Sequence, residues 1–272
     1  MANCQMCGRA LEPTPRGRPA QYCSRACRAR AYRERVADKQ RIADPAADPA
    51  AALTTEHIVR AAIALADRDG SAGLSMRRTA AELGVGVMSL YRYVPGKEEL
   101  GGLMVDAVFG DHPLPDPGPP DWRAKLELSA RAEWQIYLEH PWVPQLFAIT
   151  TRPPVAPAMM AYTDWRLRAI DGLGLDFPTM VRIAITLSTH TQSAAYQLAR
   201  ERESDTTREQ WMTASDGPAR ALFAAGNLPM IARFGPDALA ASEPQSIFDF
   251  GLGCLLDGVA RIVSGGSAHA SP

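Results

Sequence analysis

LSMRRTAAELGVGVMSLYRYVPGKEEL, residues 74–100, holds two short helical patterns hinged on a glycine. Ser75 precedes the first, where a hydroxyl oxygen can accept from a free amide of the opening turn. Met76, Ala80 and Leu83 then repeat at i, i+4 and i+7 over MRRTAAEL, one face of a helix. Gly84 follows at the point where a tight turn needs positive φ. The next helix is expected over VMSLYRYV and to end before Pro95, since the residue preceding a proline avoids the α region. Helix, glycine turn and short helix make a helix-turn-helix, whose second helix is the one that enters a major groove. Leu90, with Val87 and Val94, forms its inner face and leaves Ser89, Tyr91, Arg92 and Tyr93 outside.

Upstream, the run from Thr54 supplies the supporting helix. Ile58, Ala62 and Leu65, flanked by Val59, Ile63 and Ala66, make a broad apolar face, and Gly70 stops it. Downstream, DHPLPDPGPPD (residues 111–121) has five prolines and cannot be helical, so it is expected to separate a DNA-binding head, residues 54–110, from a helical body, residues 122–265. Helices are expected over 122–139, 157–173, from Asp176 to about Arg202, and from Pro244 to Ser264, with no alternating strand pattern. The fold class is therefore all-α. In the last helix Phe248, Leu252, Leu255, Val259 and Ile262 form a large apolar stripe beside the small residues Gly251, Cys254 and Gly258. Ala184, Ser188, Thr191 and Ala195 line up similarly, and two such helices from each of two chains suit a four-helix dimer interface; packing within one chain is the alternative.

Cys4, Cys7, Cys23 and Cys27 are four of the five cysteines, spaced C-x2-C and C-x3-C across a short loop. Two close pairs of soft sulfur ligands favour one structural zinc ion with no position left for activated water; two disulfides or unrelated thiols are the alternatives. Ser24 can cap a helix that places Cys27 in its first turn, and Arg28, Arg30, Arg33, Arg35, Lys39 and Arg41 are spread around that helix as phosphate contacts would be. Residues 1–42 form this module, and ADPAADPAAAL, residues 43–53, reads as a linker.

Residues 74–100 resemble the DNA-binding signature of the TetR family of bacterial repressors. The resemblance implies a ligand-responsive homodimer that binds a palindromic operator in double-stranded DNA. Arg77 stands where the tetracycline repressor has an arginine reading guanine, with Arg78 beside it; Tyr91 and Lys97 stand where the family contacts phosphates, and Ser89 at a small hydroxyl position of that surface. Val87 and Met88 replace a Gln-Pro pair, which implies a different operator, because an apolar side chain can touch a thymine methyl but neither donates nor accepts. FDFGLGCLLDGVARIV resembles the last helix of the tetracycline-repressor subgroup, and the cysteine segment resembles small treble-clef fingers.

Composition agrees with this division of labour. The net charge of −1 conceals ten basic against three acidic residues in 1–42, a net of +7, and nineteen against twenty-seven in the remainder, a net of −8. A basic arm on an acidic body confines polyanion affinity to one end. No apolar run approaches the roughly 20 residues of a membrane span, and the N-terminus lacks a signal-peptide pattern, so a cytoplasmic protein with reduced thiols is expected. No Gly-rich phosphate loop, G-x-S-x-G or H-E-x-x-H occurs, and no enzyme is expected. Trp134, Tyr137, His140, Trp142, Trp165, His190 and Tyr196 are candidates to line a small-molecule pocket between body helices. The alternative reading makes the cysteine cluster itself a metal or redox sensor.

Overall fold

The computed structural model describes residues 4–11, 21–24, 26–28, 30–31, 53–147, 155–202, 204, 206–207, 210–211, 213–215, 217, 226 and 228–266, the side chains of 201, 202 and 266 excepted. Two compact units result, Met1–Leu53 and Thr54–Pro272. In the second, the described helices are α1 (Thr55–Gly73), α2 (Met76–Glu82), α3 (Val87–Leu90), α4 (Lys97–Gly110), α5 (Trp122–Glu139), α6 (Trp142–Phe147), α7 (Pro157–Ile170), α8 (Phe177–Arg202), α9 (Pro236–Ala241) and α10 (Pro244–Gly266), with a 3-10 turn at Ile231–Arg233. No β-strand occurs among the described residues, and none of their helices is long and apolar enough to cross a membrane.

The first helices begin and end for local reasons. Thr54 Oγ1 accepts from the amide of His57 at 3.1 Å, and Ser75 Oγ from that of Arg78 at 3.2 Å, each satisfying an amide that the helix leaves free. Gly70 breaks the helical path of α1 at φ +72°, and Gly84 takes φ +67° in the turn after α2. The expected apolar face of α1 is buried. Of the α2 face, Met76 and Ala80 are buried and Leu83 is half-buried. The recognition helix is shorter than its pattern predicts. Regular helix stops at Leu90, although Tyr93 and Val94 still donate their amides to the Leu90 carbonyl at 2.9 Å. Pro95 then forbids any further helix, since the residue before a proline avoids the α region.

Across the proline-rich connector, head and body are packed into one compact unit. α4 buries Leu100, Met104, Val105, Val108 and Phe109 and packs against both α1 and α7. The connector itself lies on α7: the Tyr162 hydroxyl donates to the His112 carbonyl, and Trp165 Nε1 donates to the Pro115 carbonyl at 3.0 Å. Gly118, at φ +72°, sits where a Cβ would come within 2.8 Å of the Trp165 ring. Apolar burial on both faces of α4 thus joins head and body into one unit. Two helices, α6 and α9, fall outside the expected set, each six residues long and too short to show a period.

Inside the body, Arg166 of α7 is fully buried and ion-paired with Glu133 of α5 at 2.6 Å. Its Nε donates to Ser129 Oγ at 2.9 Å, a terminal nitrogen donates to the Ser129 carbonyl at 3.1 Å, and the other donates to Ser188 Oγ of α8. The Tyr137 hydroxyl donates to the other oxygen of Glu133 at 2.6 Å. Three helices are joined by this one network.

The small-residue face of α8 accordingly does not lie at a surface. Ala184, Thr191 and Ala195 are buried and Ser188 is half-buried, all within one chain, because the guanidinium needs acceptors. In α10, Phe248, Leu252, Leu256 and Val259 are the buried stripe, whereas Ile262 is exposed and Leu255 half-buried. Gly251 faces inward, where a Cβ would come 2.2 Å from the ring of His190.

Arg166→Ala should destabilise the protein by about 3–5 kcal/mol, since it strands a buried carboxylate. Denaturant unfolding compared with that of the exposed control Arg123→Ala measures this; equal stability would refute the central role of the pair.

Candidate nucleic-acid interface

The surface carried by α2, α3 and the start of α4 is where cations and aromatic rings collect. Arg77, Arg92 and Lys97 are exposed and make no ion pair among the described residues. Tyr91 and Tyr93 are exposed, Ser89 is half-buried, and Met88 is 73% exposed. Leu90 and Val94 are fully buried beneath them, so the tyrosines are not part of the small core. Arg78 differs from its neighbour. Its guanidinium is paired with Asp69 of α1 and lies against Gly73, where a Cβ would meet it at 2.8 Å. That pair ties α2 to α1 and leaves Arg78 exposed but engaged, unlike its neighbour. Arg68 makes a two-point pair with Glu82 at 3.0 and 3.2 Å, which holds the Glu82 carboxyl below its ordinary range.

In the unit Met1–Leu53, the four sulfurs of Cys4, Cys7, Cys23 and Cys27 lie within 4.8 Å of one another. Cys7 and Cys23 are 3.4 Å apart, and Cys23 and Cys27 are 3.6 Å apart. A tetrahedral zinc with Zn–S bonds of about 2.3 Å needs sulfur separations of about 3.8 Å, so the donor set fits that ion. Local hydrogen bonds build the cradle. The Gly8 amide donates to the Cys4 carbonyl at 2.9 Å with Gly8 at φ +72°, and the Gln5 amide donates to the Gln21 carbonyl at 3.1 Å. Ser24 Oγ accepts from the Cys27 amide at 3.2 Å, the expected cap. Two of the four thiols are shifted in opposite directions. The neighbouring Cys7 and Cys27 thiols push Cys23 up to about 12, while the Cys23 backbone lowers Cys4 to about 6. Arg28 and Arg30 are exposed; Arg33, Arg35, Lys39, Arg41 and the linker through residue 52 lie outside the described residues.

The candidate pocket residues do not line one common cavity. Trp134, Phe248 and His190 form a stack with ring centroids 4.4 and 6.0 Å apart. Trp134 Nε1 donates to Gln245 at 2.9 Å, and His190 Nε2 donates to the Phe248 carbonyl at 3.0 Å, so the partner that His190 needs is part of the chain. Tyr137 is committed to Glu133; burial, then that charge, pushes its hydroxyl far up and keeps it a neutral donor. His140 and Trp142 both bond Asp67 Oδ1 of α1, at 2.8 and 2.6 Å. Tyr196 is half-buried on α8. Trp165 alone of these borders an aromatic cavity, of about 180 Å³, walled by Phe109, Leu114 and Tyr162 with Arg168 at its rim. Burial, then the Glu133 charge, raises Tyr162 to about 12. A larger apolar groove of about 280 Å³ runs along α8 and α10.

Sequence reasoning missed Asp67, Arg60 with Asp111, and Glu133 with Arg166. Asp67 and Trp142 stand 75 positions apart with no shared pattern, and nothing in either helix's period marks the pair. Arg60 holds the Asp111 carboxyl below its ordinary range.

The family model described as bacterial regulatory proteins, tetR family, matches residues 58–101, and that described as tetracyclin repressor-like, C-terminal domain, matches residues 114–263. The HTH-type transcriptional repressor DrrR1 of Streptomyces coeruleorubidus is 37% identical over 233 residues, 84% of this chain and 85% of that protein. The tetracycline repressor protein class A from transposon 1721 of Escherichia coli is 28% identical over 213 residues, 77% of this chain and 91% of that one. Among solved structures, ActR from Streptomyces coelicolor in complex with actinorhodin superposes with a TM-score of 0.66 at 27% identity, over 81% of this chain and all of that one.

Arg77→Ala should cost about 1–3 kcal/mol of DNA affinity and relax the preference at one base pair, whereas Lys97→Ala should weaken all sequences alike and lower the salt slope by about one. Binding titrations across salt, on a selected site and its single-base variants, separate the two.

Proposed function

The chain belongs to the TetR family of bacterial transcriptional regulators, with the helix-turn-helix as its DNA-binding element, and on that footing we propose that it works as a homodimeric repressor of a palindromic operator, released by a small-molecule effector. Arg77 is suited to the O6 and N7 acceptors of guanine, with Tyr91, Arg92, Tyr93, Lys97 and Ser89 positioning the duplex through its backbone and Met88 touching an apolar base edge. One short helix reads few bases, so two related by a twofold axis are required.

The single observation that supports the dimer best is the outer face of α10. It leaves Ile247, Phe250 and Ile262 exposed, Phe250 at 75%, with Cys254 among them, and the adjacent α8 leaves Ile185 exposed. Large apolar side chains collected on one side of two neighbouring helices suit burial against a second copy. The interface therefore rests on these residues and the 280 Å³ groove beside them rather than on the small-residue face of α8.

The effector reading rests on α4. That helix is shared by the head, through α1, and the body, through α7, and its Phe109 walls the 180 Å³ aromatic cavity. This volume is below the roughly 300 Å³ of an ordinary ligand site, so a ligand must widen it and shift α4 or the connector. A displaced α4 moves the head, and two heads at the wrong separation no longer enter successive grooves. Actinorhodin, bound by ActR, is a first compound to try.

Zinc in the four-cysteine cluster is structural in this reading: it folds the basic module, whose Arg28 adds phosphate contacts.

Phe250→Asp with Ile262→Asp should yield a monomer by sedimentation and lose operator binding steeply, and sites selected from random DNA by the unmodified protein should be palindromic. A persistent dimer or a set of asymmetric sites would refute the arrangement. Metal analysis should return one tightly held zinc bound through thiolates, and chelating it should leave the helical signal of residues 54–272 intact while lowering the salt slope of DNA binding.

A further inference from the structure

Where the head meets the body, three side chains with ligand atoms converge. His112 follows the end of α4, and Glu139 and His140 close α5; one ligand atom of each lies within 4.8 Å of the other two. His112 Nε2 stands 3.2 Å from Glu139 Oε2. At metal–ligand distances of about 2.0–2.2 Å, neighbouring ligand atoms stand roughly 3.0–3.6 Å apart. The first pair already has that spacing, and the other separations, within 4.8 Å, are ones that side-chain adjustment on binding can close.

His112 is fixed at its backbone and His140 at its ring. The His112 backbone is fixed by its amide, which donates to the Phe109 carbonyl at 3.2 Å, and by its carbonyl, which accepts from Tyr162. The His140 amide donates to the Ile136 carbonyl at 2.8 Å, and its Nδ1 bonds Asp67, itself anchored by Trp142 at 2.6 Å. A carboxylate on Nδ1 fixes the ring and its tautomer and leaves Nε2 as the basic nitrogen, the supporting arrangement of metal-bound histidines. Access is open, because the His112 and Glu139 side chains are 35% and 53% exposed. A half-exposed histidine–glutamate ion pair would by itself be worth little, and it gives no reason for a second imidazole with a carboxylate behind it.

We propose that His112, Glu139 and His140 form a second metal site, distinct from the cysteine cluster, for a first-row divalent transition ion of the zinc type. Two imidazoles and one carboxylate select such an ion over magnesium or calcium, which take oxygen ligands, and water completes the coordination. The ion joins the end of α4 to the end of α5, next to the Asp67 bridge from α1. It fastens the helix that the head and body share. Its consequence for operator affinity rests on the reading above, whereas uptake of the metal does not.

The test uses the full chain purified with zinc in its cysteine cluster and titrated with Co(II), followed by equilibrium dialysis, visible absorption and thermal melting. One Co(II) per chain should bind with weak ligand-field bands and no sulfur-to-cobalt charge transfer, and should raise the melting temperature. His112→Ala and Glu139→Gln should each weaken this uptake at least about tenfold while leaving the zinc in the cysteine cluster. No uptake beyond the cluster, a thiolate spectrum alone, or uptake that neither substitution weakens would overturn the site.

Discussion

A guanidinium with no exposure to water holds the body together. Removing Arg166 and Glu133 from solvent is costly, and the cost is offset only if each donor and each carboxylate oxygen finds a partner. Ser129, Ser188, Glu133 and Tyr137 supply those partners, from α5 and α8, so the register of three helices is fixed by one set of hydrogen bonds. Much else follows from that register. α7 presents Tyr162 and Trp165 to the connector, and α8 presents His190 to Phe248 and so seats α10.

The head is attached to this body at several points rather than through a loose tether. α4 is apolar on the side facing α1 and on the side facing α7, and Asp67 of α1 receives both the His140 ring and the Trp142 indole. Arg60 and Asp111 add a partly exposed pair at the same corner. Such pairs contribute little to stability singly, but they orient the elements between which any signal must pass.

On the outer side of the head, the division between structural and free cations is decided by neighbours. Arg77 and Arg78 are consecutive and chemically identical. α1 places Asp69 against the second, whereas the first has no ion pair among the described residues, so one helps to assemble the head and the other is left unpaired. The recognition segment likewise sinks Leu90 and Val94 and raises Met88, Tyr91, Arg92 and Tyr93. This leaves a surface with polar, aromatic and apolar groups together, suited to a duplex whose backbone is charged and whose base edges are partly apolar.

The sequence by itself determined what depends on near neighbours in the chain: the caps at Thr54, Ser75 and Ser24, the turn at Gly84, the helical periods and the spacing of the four cysteines. Those features need only a few residues of context, and the likeness of residues 74–100 to a known signature carried the head. Tertiary structure decided whatever joins distant positions. It sent the small face of α8 inward to meet Arg166, gave His190 a partner in Phe248, took Arg78 for Asp69 and docked the proline-rich connector on Trp165. A helical period tells which residues share a face but not what that face will meet. The partner depends on how far the chain travels before it returns, and that is settled by packing and by the need to satisfy buried charge.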